Sequence, residues 1–348
     1  MWSSMDGMTS SNFAIVDRYL ATELSARALA LAFARGWVDS LLERERLDAA
    51  ELAGKGRMAA EAARAVLDLL AAAGVVELDG GYRLTTGFRQ ALAARDLLEA
   101  KLWFANLVAP DVHEHFEALL TDVPRFMANA RVFELFRYDR CLEVTPENLA
   151  ATRRWVGYTT TLTKYEAPAA LTRLDLAGHR SMLDIGGNSG EFARQACALA
   201  PHLRATVFVL PGVCTIGTEH VARFAEGARV QFLAGDLRGQ DLPRGHDLVS
   251  FKSVLHDWPE DLAAAFLGKA VAALEPGGRL VVFERGPLRL DGVPLSHAMV
   301  ANLVFLPFFR SPEFYQEVLA GLGMADIAID WIELEMPFFL VTARKVAL

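Results

Sequence analysis

The sequence predicts an α/β protein in which a doubly wound, mainly parallel sheet follows a helical N-terminal region. From about residue 171 onward, short apolar runs alternate with helical patterns, as in sheets built from strands and crossover helices. The run Ser181–Ile185 leads into a glycine-containing turn and then a helical pattern, and such a turn suits a nucleotide-like ligand. Before residue 171 the pattern is helical apart from one short hairpin.

The bulk composition fits two globular domains with a large core. The chain has 348 residues, of which 53% are apolar and 22% are charged, and its net charge is −8. An acidic chain without a basic patch is not expected to bind nucleic acid. No apolar run reaches the roughly 18 residues of a membrane span. The first six residues lack a basic segment followed by an apolar one, so we expect no signal peptide and no membrane partner.

The three cysteines are Cys141, Cys197 and Cys214. They are widely spaced and odd in number, which argues against a disulfide framework and against a zinc site. This usage favours a reducing, cytoplasmic location.

The first hundred residues are predicted to form helices and one hairpin. An Ala- and Leu-rich helix is expected over 12–48, and it would pack either within the chain or against a partner subunit. Two helices over 48–54 and 58–73 precede a hairpin over 75–84 with an Asp-Gly turn. Helix, helix and hairpin in this order indicate a winged helix-turn-helix. Its presumed recognition helix carries acidic as well as basic side chains, which favours dimerisation over DNA binding.

Residues 88–170 are helical and rich in aromatic side chains. These aromatics form the core or line a pocket for a flat apolar molecule, and the sequence leaves both possibilities open. His113 and His115 lie two positions apart, so they do not share a helix face and do not suggest a metal pair.

The C-terminal part contains the strands and helices of the main sheet. Strands are expected over 181–185, 205–210, 229–234, 247–251, 279–284, 325–330 and 337–343, and helices over 190–200, 213–226, 259–274 and 312–322. Ligands of such sheets bind at the carboxyl ends of the strands. The turn 184–190 and Val209, Asp236, Lys252 and Glu284 all follow strands, so we expect them on one edge of the sheet.

The most informative stretch is 251–259, which reads Phe-Lys-Ser-Val-Leu-His-Asp-Trp-Pro. A polar cluster directly follows a buried strand and precedes a helix. A histidine has an ordinary pKa of about 6.5, so His256 could act as a general base near neutral pH. The alternative is that His256 only caps or packs.

This stretch resembles a family when it is combined with Asp-Ile-Gly-Gly at 184–187 and Pro-Gly-Gly-Arg-Leu at 276–280. The chain is similar to the S-adenosylmethionine-dependent O-methyltransferases of the plant caffeate and bacterial antibiotic-tailoring type. The resemblance covers nearly the whole chain and implies a Rossmann-like class I methyltransferase domain behind a winged-helix dimerisation domain. It therefore implies S-adenosylmethionine as cofactor and a homodimer.

The resemblance also implies roles for individual residues. His256 would take the proton from an acceptor hydroxyl, and Glu284 would orient His256. No metal is required. The positions that match cofactor contacts of the family are Asp184, Gly186, Gly190, Val209, Asp236, Leu237, Lys252 and Trp258.

Three positions depart from the family pattern. Val209 stands where the family usually has an acid that binds both ribose hydroxyls. Hydrogen bonds to charged groups contribute roughly 1.5–3 kcal/mol each, so losing two of them would weaken cofactor binding strongly unless another group substitutes for the acid. Asn188 replaces a third glycine, and asparagine tolerates left-handed backbone. Phe309 precedes Arg310 where plant members carry a second glutamate beside the histidine, so one carboxylate is expected to support His256.

The segment 297–309 would form one wall of the acceptor pocket, with Met299, Asn302 and Phe305 as contacts. Asn302 either anchors an acceptor hydroxyl or is simply a polar residue of a buried helix. The apolar residues around it suggest an aromatic or polyketide-like acceptor. The predicted organisation is a helical and winged-helix domain over 1–100, a helical linker over 101–170 and a methyltransferase domain over 171–348.

The sequence therefore predicts a methyltransferase that acts on a hydroxyl of a small apolar or aromatic metabolite. The alternative is a non-methylating homologue on the same scaffold, such as a decarboxylase, a hydroxylase, a rearrangement catalyst or a ligand binder, and Val209 motivates it. A transcriptional regulator is disfavoured by the acidic charge.

Overall fold

The computed structural model describes residues 6–288, 290, 292 and 294–347, with side chains from residue 12 onward. The first five residues, on which much of the signal-peptide expectation rests, lie outside this part of the chain. The described residues form two compact units. The first unit draws on 1–130 and 290–304, and the second on 131–289 and 305–348. The predicted linker 101–170 is thus divided between them after residue 130.

The sequence forms sixteen α-helices within the described residues. They are α1 (Asp6–Asp17), α2 (Glu23–Ala34), α3 (Trp37–Glu43), α4 (Ala49–Gly56), α5 (Ala60–Ala72), α6 (Thr86–Ala91), α7 (Arg95–Glu114), α8 (Phe116–Thr121), α9 (Val123–Asn129), α10 (Val132–Leu135), α11 (Pro146–Leu171), α12 (Glu191–Leu199), α13 (Pro211–Val221), α14 (Glu260–Ala273), α15 (His297–Leu303) and α16 (Pro312–Gly321).

The strands of the described chain form a small hairpin and one large sheet. They are β1 (Val76–Leu78), β2 (Tyr82–Leu84), β3 (Ser181–Ile185), β4 (Arg204–Val209), β5 (Val230–Ala234), β6 (His246–Lys252), β7 (Leu274–Arg285), β8 (Met324–Glu333) and β9 (Pro337–Lys345).

The prediction of one helix over 12–48 is wrong, because this segment contains the end of α1, a 3-10 turn, α2 and α3. The hydroxyl of Thr22 accepts a hydrogen bond from the Ser25 amide and caps the start of α2. Gly36 adopts a φ of 68°, a left-handed conformation in which a helix cannot continue. The spacing of apolar residues predicts that the segment is helical, but it does not show where a capping side chain or a left-handed glycine ends one helix and begins the next.

The predicted order of helix, helix and hairpin is present as α4, α5, β1 and β2. Asp48 and Glu51 form a capping box at the start of α4, in which each side chain accepts a hydrogen bond from the other's backbone amide. Gly80 takes a φ of 61° in the hairpin turn.

The second unit is built on a seven-stranded sheet in the order β5-β4-β3-β6-β7-β9-β8. Strands β3 to β7 run parallel to one another, and β9 is antiparallel to both β7 and β8. The prediction of a mainly parallel α/β sheet is therefore confirmed. Because β3 to β7 are parallel, the residues that follow them lie at one edge, as the sequence predicts.

The core of the second unit lies between this sheet and its helices. Leu183 of β3 and Val249 of β6 are fully buried, and they belong to a cluster that includes Phe266 of α14 and Leu319 of α16. Among the described helices, none combines the length and apolarity needed to cross a membrane.

Leu183→Ala is expected to lower the free energy of unfolding by about 2–5 kcal/mol, because it leaves a cavity in a central strand. The matched control is Leu199→Ala, since Leu199 is 54% exposed and its truncation should change stability by no more than about 0.5 kcal/mol. Urea unfolding followed by tryptophan fluorescence compares the two variants. Equal unfolding midpoints would show that β3 is not a core strand.

Candidate active site

The turn after β3 brings backbone close to its neighbours. Gly186 has a φ of 66°, and a Cβ there would lie 2.8 Å from a methyl group of Val254. Gly190 has a φ of 75°, and a Cβ there would lie 2.9 Å from the ring of Phe232. The amide of Gly190 donates to the carbonyl of Gly187 at 2.8 Å and closes the turn at the start of α12. Both glycines are therefore required by conformation and by space.

The carboxyl of Asp184 lies against the backbone of this turn. It is completely buried, and its Oδ1 accepts a hydrogen bond from the Ser250 hydroxyl at 2.6 Å. Burial raises the pKa of Asp184 to about 7, although the bond from Ser250 lowers it. Its Oδ2 is buried without a hydrogen-bond partner in the described chain, and a Cβ on Gly187 would lie 2.3 Å from it. Asp184 thus lies under the turn and not on its outer surface.

Helix α11 holds the outer side of the turn. The Thr160 hydroxyl bonds to the Ser189 hydroxyl at 2.7 Å, and the Asn188 amide donates to the Thr159 hydroxyl. Asn188 has a φ of 52°, a left-handed conformation that asparagine tolerates better than most residues do.

Lys252, at the end of β6, lies in a buried cluster of charges. Its ammonium contacts Glu166 of α11 and donates to the Thr163 hydroxyl at 3.1 Å. The guanidinium of Arg285 contacts the other oxygen of Glu166 and donates to the Ser253 hydroxyl at 3.1 Å. Glu166 is fully buried, so both cations compensate its charge. The role of Glu166 could not be predicted from the sequence, because its two partners are 86 and 119 residues away along the chain.

The ends of β4 and β5 carry the predicted nucleoside contacts. Val209 is buried and apolar, and the carboxylate of Asp236 is held by Arg238 at 2.7 Å. Arg238 keeps the pKa of Asp236 below its ordinary value. The carbonyl of Leu237 accepts from Lys269 at 2.7 Å. Arg238 also lies 5.8 Å from the ring centre of Trp258, so this cation connects two of the predicted cofactor residues.

His256 lies in a short 3-10 turn, Leu255–Asp257, that two charged side chains hold. Glu284 Oε1 accepts hydrogen bonds from the amides of Val254 and Leu255, both at 2.8 Å. Arg310 donates to the carbonyls of Leu255 and Trp258. The donors and acceptors of the turn are thus satisfied by a carboxylate and a guanidinium, and the turn is fixed relative to β7.

The other oxygen of Glu284 contacts the imidazole. Nδ1 of His256 lies 2.6 Å from Glu284 Oε2. Burial opposes the charge of Glu284, but His256 and the two amides hold the pKa of the carboxyl below its ordinary value. A charged carboxylate only accepts, so Nδ1 carries a proton and donates it, which leaves Nε2 as the basic nitrogen.

A second carboxylate lies at Nε2, so the expectation of a single carboxylate beside His256 is wrong. Asp257 Oδ1 is 3.3 Å from Nε2. Burial lowers the pKa of His256, but Glu284 and then Asp257 outweigh it, and the pKa lies above its ordinary value. This role of Asp257 is not visible in the sequence, because the side chains of adjacent residues rarely face the same way.

Phe309 occupies the position that corresponds to the second glutamate of the plant enzymes. Its ring centre lies 5.8 Å from that of His256. Phe309 is the first of a series of aromatic contacts, with Phe305 at 6.2 Å, and Phe305 in turn lies 6.2 Å from Phe136. These three rings are partly exposed. They form a half-buried aromatic wall that begins at the imidazole.

The other two predicted acceptor contacts belong to the first unit. Met299 and Asn302 lie on α15, where the Asn302 amide is 3.7 Å from the Met299 sulfur. This helix packs on α7, and His297 bonds to Asn106 at 3.1 Å. The site residues of the second unit are therefore brought together as predicted at the sheet edge, whereas these two are held by another core. Within the described residues, no cluster of ligands could hold a metal ion.

Comparisons with known proteins agree on one family. The O-methyltransferase domain profile matches residues 148–319. The chain is 30% identical to 3-hydroxy-5-methyl-1-naphthoate 3-O-methyltransferase of Streptomyces sahachiroi over 279 residues, which cover 76% of this chain and 75% of the relative. It is 35% identical to aclacinomycin 10-hydroxylase of Streptomyces purpurascens over 166 residues, or 47% and 44% of the two chains. Human N-acetylserotonin methyltransferase, solved with S-adenosylmethionine, has the same fold, with a TM-score of 0.72, 21% identity and full coverage of both chains.

Glu284→Gln should lower the pKa of His256, because the amide keeps acceptor oxygen but removes the negative charge that favours the imidazolium. The measurement is an NMR titration of the His256 ring in the protein without ligands. Glu275→Gln on the same strand is the control, because Glu275 lies near the start of β7, away from the turn. An unchanged His256 titration in Glu284→Gln would contradict the assigned ion pair.

Proposed function

The chain belongs to the S-adenosylmethionine-dependent O-methyltransferase family, and we propose that it methylates a hydroxyl of a small, apolar, aromatic metabolite with His256 as base. The observation that carries this proposal is the imidazole at the sheet edge, held by Glu284 through Nδ1 and left basic at Nε2. A buried, oriented base of this kind suits a reaction that needs positioning and one proton transfer.

In the proposed mechanism His256 removes the proton of the acceptor hydroxyl. S-adenosylmethionine supplies an activated methyl group on a sulfonium. The charge that develops on the imidazole is stabilised by the buried Glu284 carboxylate, and the turn that carries His256 is kept in place by Arg310. After the reaction the proton leaves His256 for solvent, and the base is regenerated.

The residues around the glycine turn fit the cofactor in part. Gly186 and Gly190 present backbone without side chains before α12, which suits close approach of a ligand, and the Asp184 carboxyl lies against Gly187 between them. We propose Lys252 and Trp258 as further contacts on the adjoining loop. Asp236 and Leu237 would contact the adenine, although Arg238 already holds the Asp236 carboxylate.

The misfit is at the ribose, where the apolar side chain of Val209 offers no hydrogen bond. We therefore expect weaker cofactor binding than an acid at this position would give.

We propose that the half-buried aromatic wall at His256 contacts the acceptor through Phe305, and that Met299 and Asn302 contact it from α15. The relative from Streptomyces sahachiroi acts on a naphthoate, which agrees with an aromatic acceptor. We also propose a homodimer formed through the winged-helix region. The three cysteines are all unpaired, which supports a cytoplasmic location.

A second candidate is a non-methylating enzyme on the same scaffold. Val209 favours it, and one relative is named a hydroxylase. Detection of methylated product with the purified protein would exclude this candidate.

The rate of methyl transfer should fall as the pH is lowered. In a pH profile of kcat/KM, the midpoint of this fall should lie above pH 6.5. The reason is that only neutral His256 accepts the proton, and Glu284 and Asp257 raise the pKa of His256 above its ordinary 6.5 despite burial.

His256→Asn should abolish transfer without changing the affinity for S-adenosylhomocysteine. Methyl transfer at the wild-type rate by this variant would refute His256 as base.

Val209→Asp should tighten binding of S-adenosylmethionine and S-adenosylhomocysteine by roughly a hundredfold or more, because the new carboxylate can accept from both ribose hydroxyls. Isothermal titration calorimetry of the two proteins measures the change. The control is Val209→Asn, which has nearly the same size as Val209→Asp but carries no charge, and it is titrated in the same way. Equal affinities in all three proteins would show that the ribose does not reach this position.

A further inference from the structure

The hydroxyl of Tyr138 has a role that lies outside the residues assigned above. Tyr138 opens a 3-10 turn, Tyr138–Leu142, and its hydroxyl donates to Asp257 Oδ2 at 2.8 Å. Its ring packs edge-on against Trp155 of α11, with ring centres 5.5 Å apart. Burial raises the pKa of Tyr138 well above its ordinary value, so the hydroxyl stays protonated and acts as a donor.

Asp257 uses its two oxygens in different directions. Oδ2 receives the Tyr138 hydroxyl, and Oδ1 lies 3.3 Å from Nε2 of His256. The side chain of Asp257 is 27% exposed, whereas that of Glu284 on the opposite nitrogen is fully buried. Without the Tyr138 hydroxyl, a partly exposed aspartate could rotate into solvent and leave Nε2.

The Tyr138 hydroxyl also favours the charged form of Asp257. Burial raises the pKa of this carboxyl above its ordinary value, and the hydrogen bond from Tyr138 acts against that rise. The charged groups that act on His256 are Glu284, Asp257 and the cation of Arg285. Of these, Asp257 is the group that acts at Nε2, the nitrogen that must receive the proton.

We propose that Tyr138 and Asp257 are positioning residues for the base. The Tyr138 hydroxyl fixes the Asp257 carboxylate beside Nε2, and this carboxylate stabilises the imidazolium that forms when His256 takes the proton of the acceptor. The proposal rests on the proposed function only for its kinetic consequence. The protonation of His256 itself can be measured without any methyl transfer.

The test compares Tyr138→Phe, Asp257→Asn and the double variant with the wild type. Tyr138→Phe keeps the ring that packs on Trp155 and removes only the hydroxyl. NMR titration of the His256 ring in the ligand-free protein is the primary readout. The pH dependence of kcat/KM and the separate values of kcat and KM are the kinetic readouts. Asp261→Asn is the charge control, because this exposed acid lies on α14 and not among the groups that act on His256.

In Asp257→Asn we expect the His256 pKa to fall and the acid limb of kcat/KM to move to lower pH. Tyr138→Phe should change both in the same direction and lower kcat by roughly tenfold, with the KM for S-adenosylmethionine unchanged. Because Tyr138 acts through Asp257, its removal should have no further effect in the Asp257→Asn background.

Two results would overturn the proposal. One is a His256 titration in Asp257→Asn that matches the wild type and Asp261→Asn. The other is an equal effect of Tyr138→Phe in the presence and absence of Asp257, which would indicate that Tyr138 only fastens its own turn. If the titrations shift as expected but no methyl transfer is found with any acceptor, the geometry is confirmed and the proposed function fails instead.

Discussion

The buried carboxylate of Glu284 is the interaction on which the site depends. A single side chain at the end of β7 binds two backbone amides and the imidazole of the turn on the neighbouring strand. A buried charge is costly unless it is fully hydrogen-bonded. The two amides and the imidazole must therefore stay within hydrogen-bonding distance of the Glu284 carboxylate. Arg310 completes the arrangement from the opposite side by binding two carbonyls of the same turn. The orientation of His256 therefore follows from satisfying buried polar groups.

The same principle operates in a second cluster at the ends of the same two strands, β6 and β7. Glu166 on α11 lies between Lys252 and Arg285, and Arg285 also holds Ser253, whose φ of 52° is unusual for a residue with a side chain. Since α11 also binds the glycine turn through its threonines, this helix supports both the turn that suits a ligand and the loop that carries the base. Two sites of different chemistry thus share one support.

Much of this arrangement could be predicted from the sequence. The order of strands and helices after residue 171 follows from periodicity, and parallel strands place their carboxyl ends at one edge, so Gly186, His256 and Glu284 could be placed together. The contacts of Tyr138 could not be predicted, because it lies 119 residues from Asp257 and one aromatic residue among many carries no distinguishing pattern. The reversed φ at Gly36, which breaks a predicted helix, was also not visible in apolar spacing.

The path of the chain between β7 and α16 limits how the two units can be exchanged. Residues 290–304 leave the second unit, contribute α15 to the core of the first, and return at Phe305. A gene cut after codon 130 would therefore produce a C-terminal fragment whose α15 has lost α7, and an N-terminal fragment with an uncovered helix face. Chimeras between relatives would need three junctions, near 130, 290 and 304, so that α7 and α15 are inherited from the same parent.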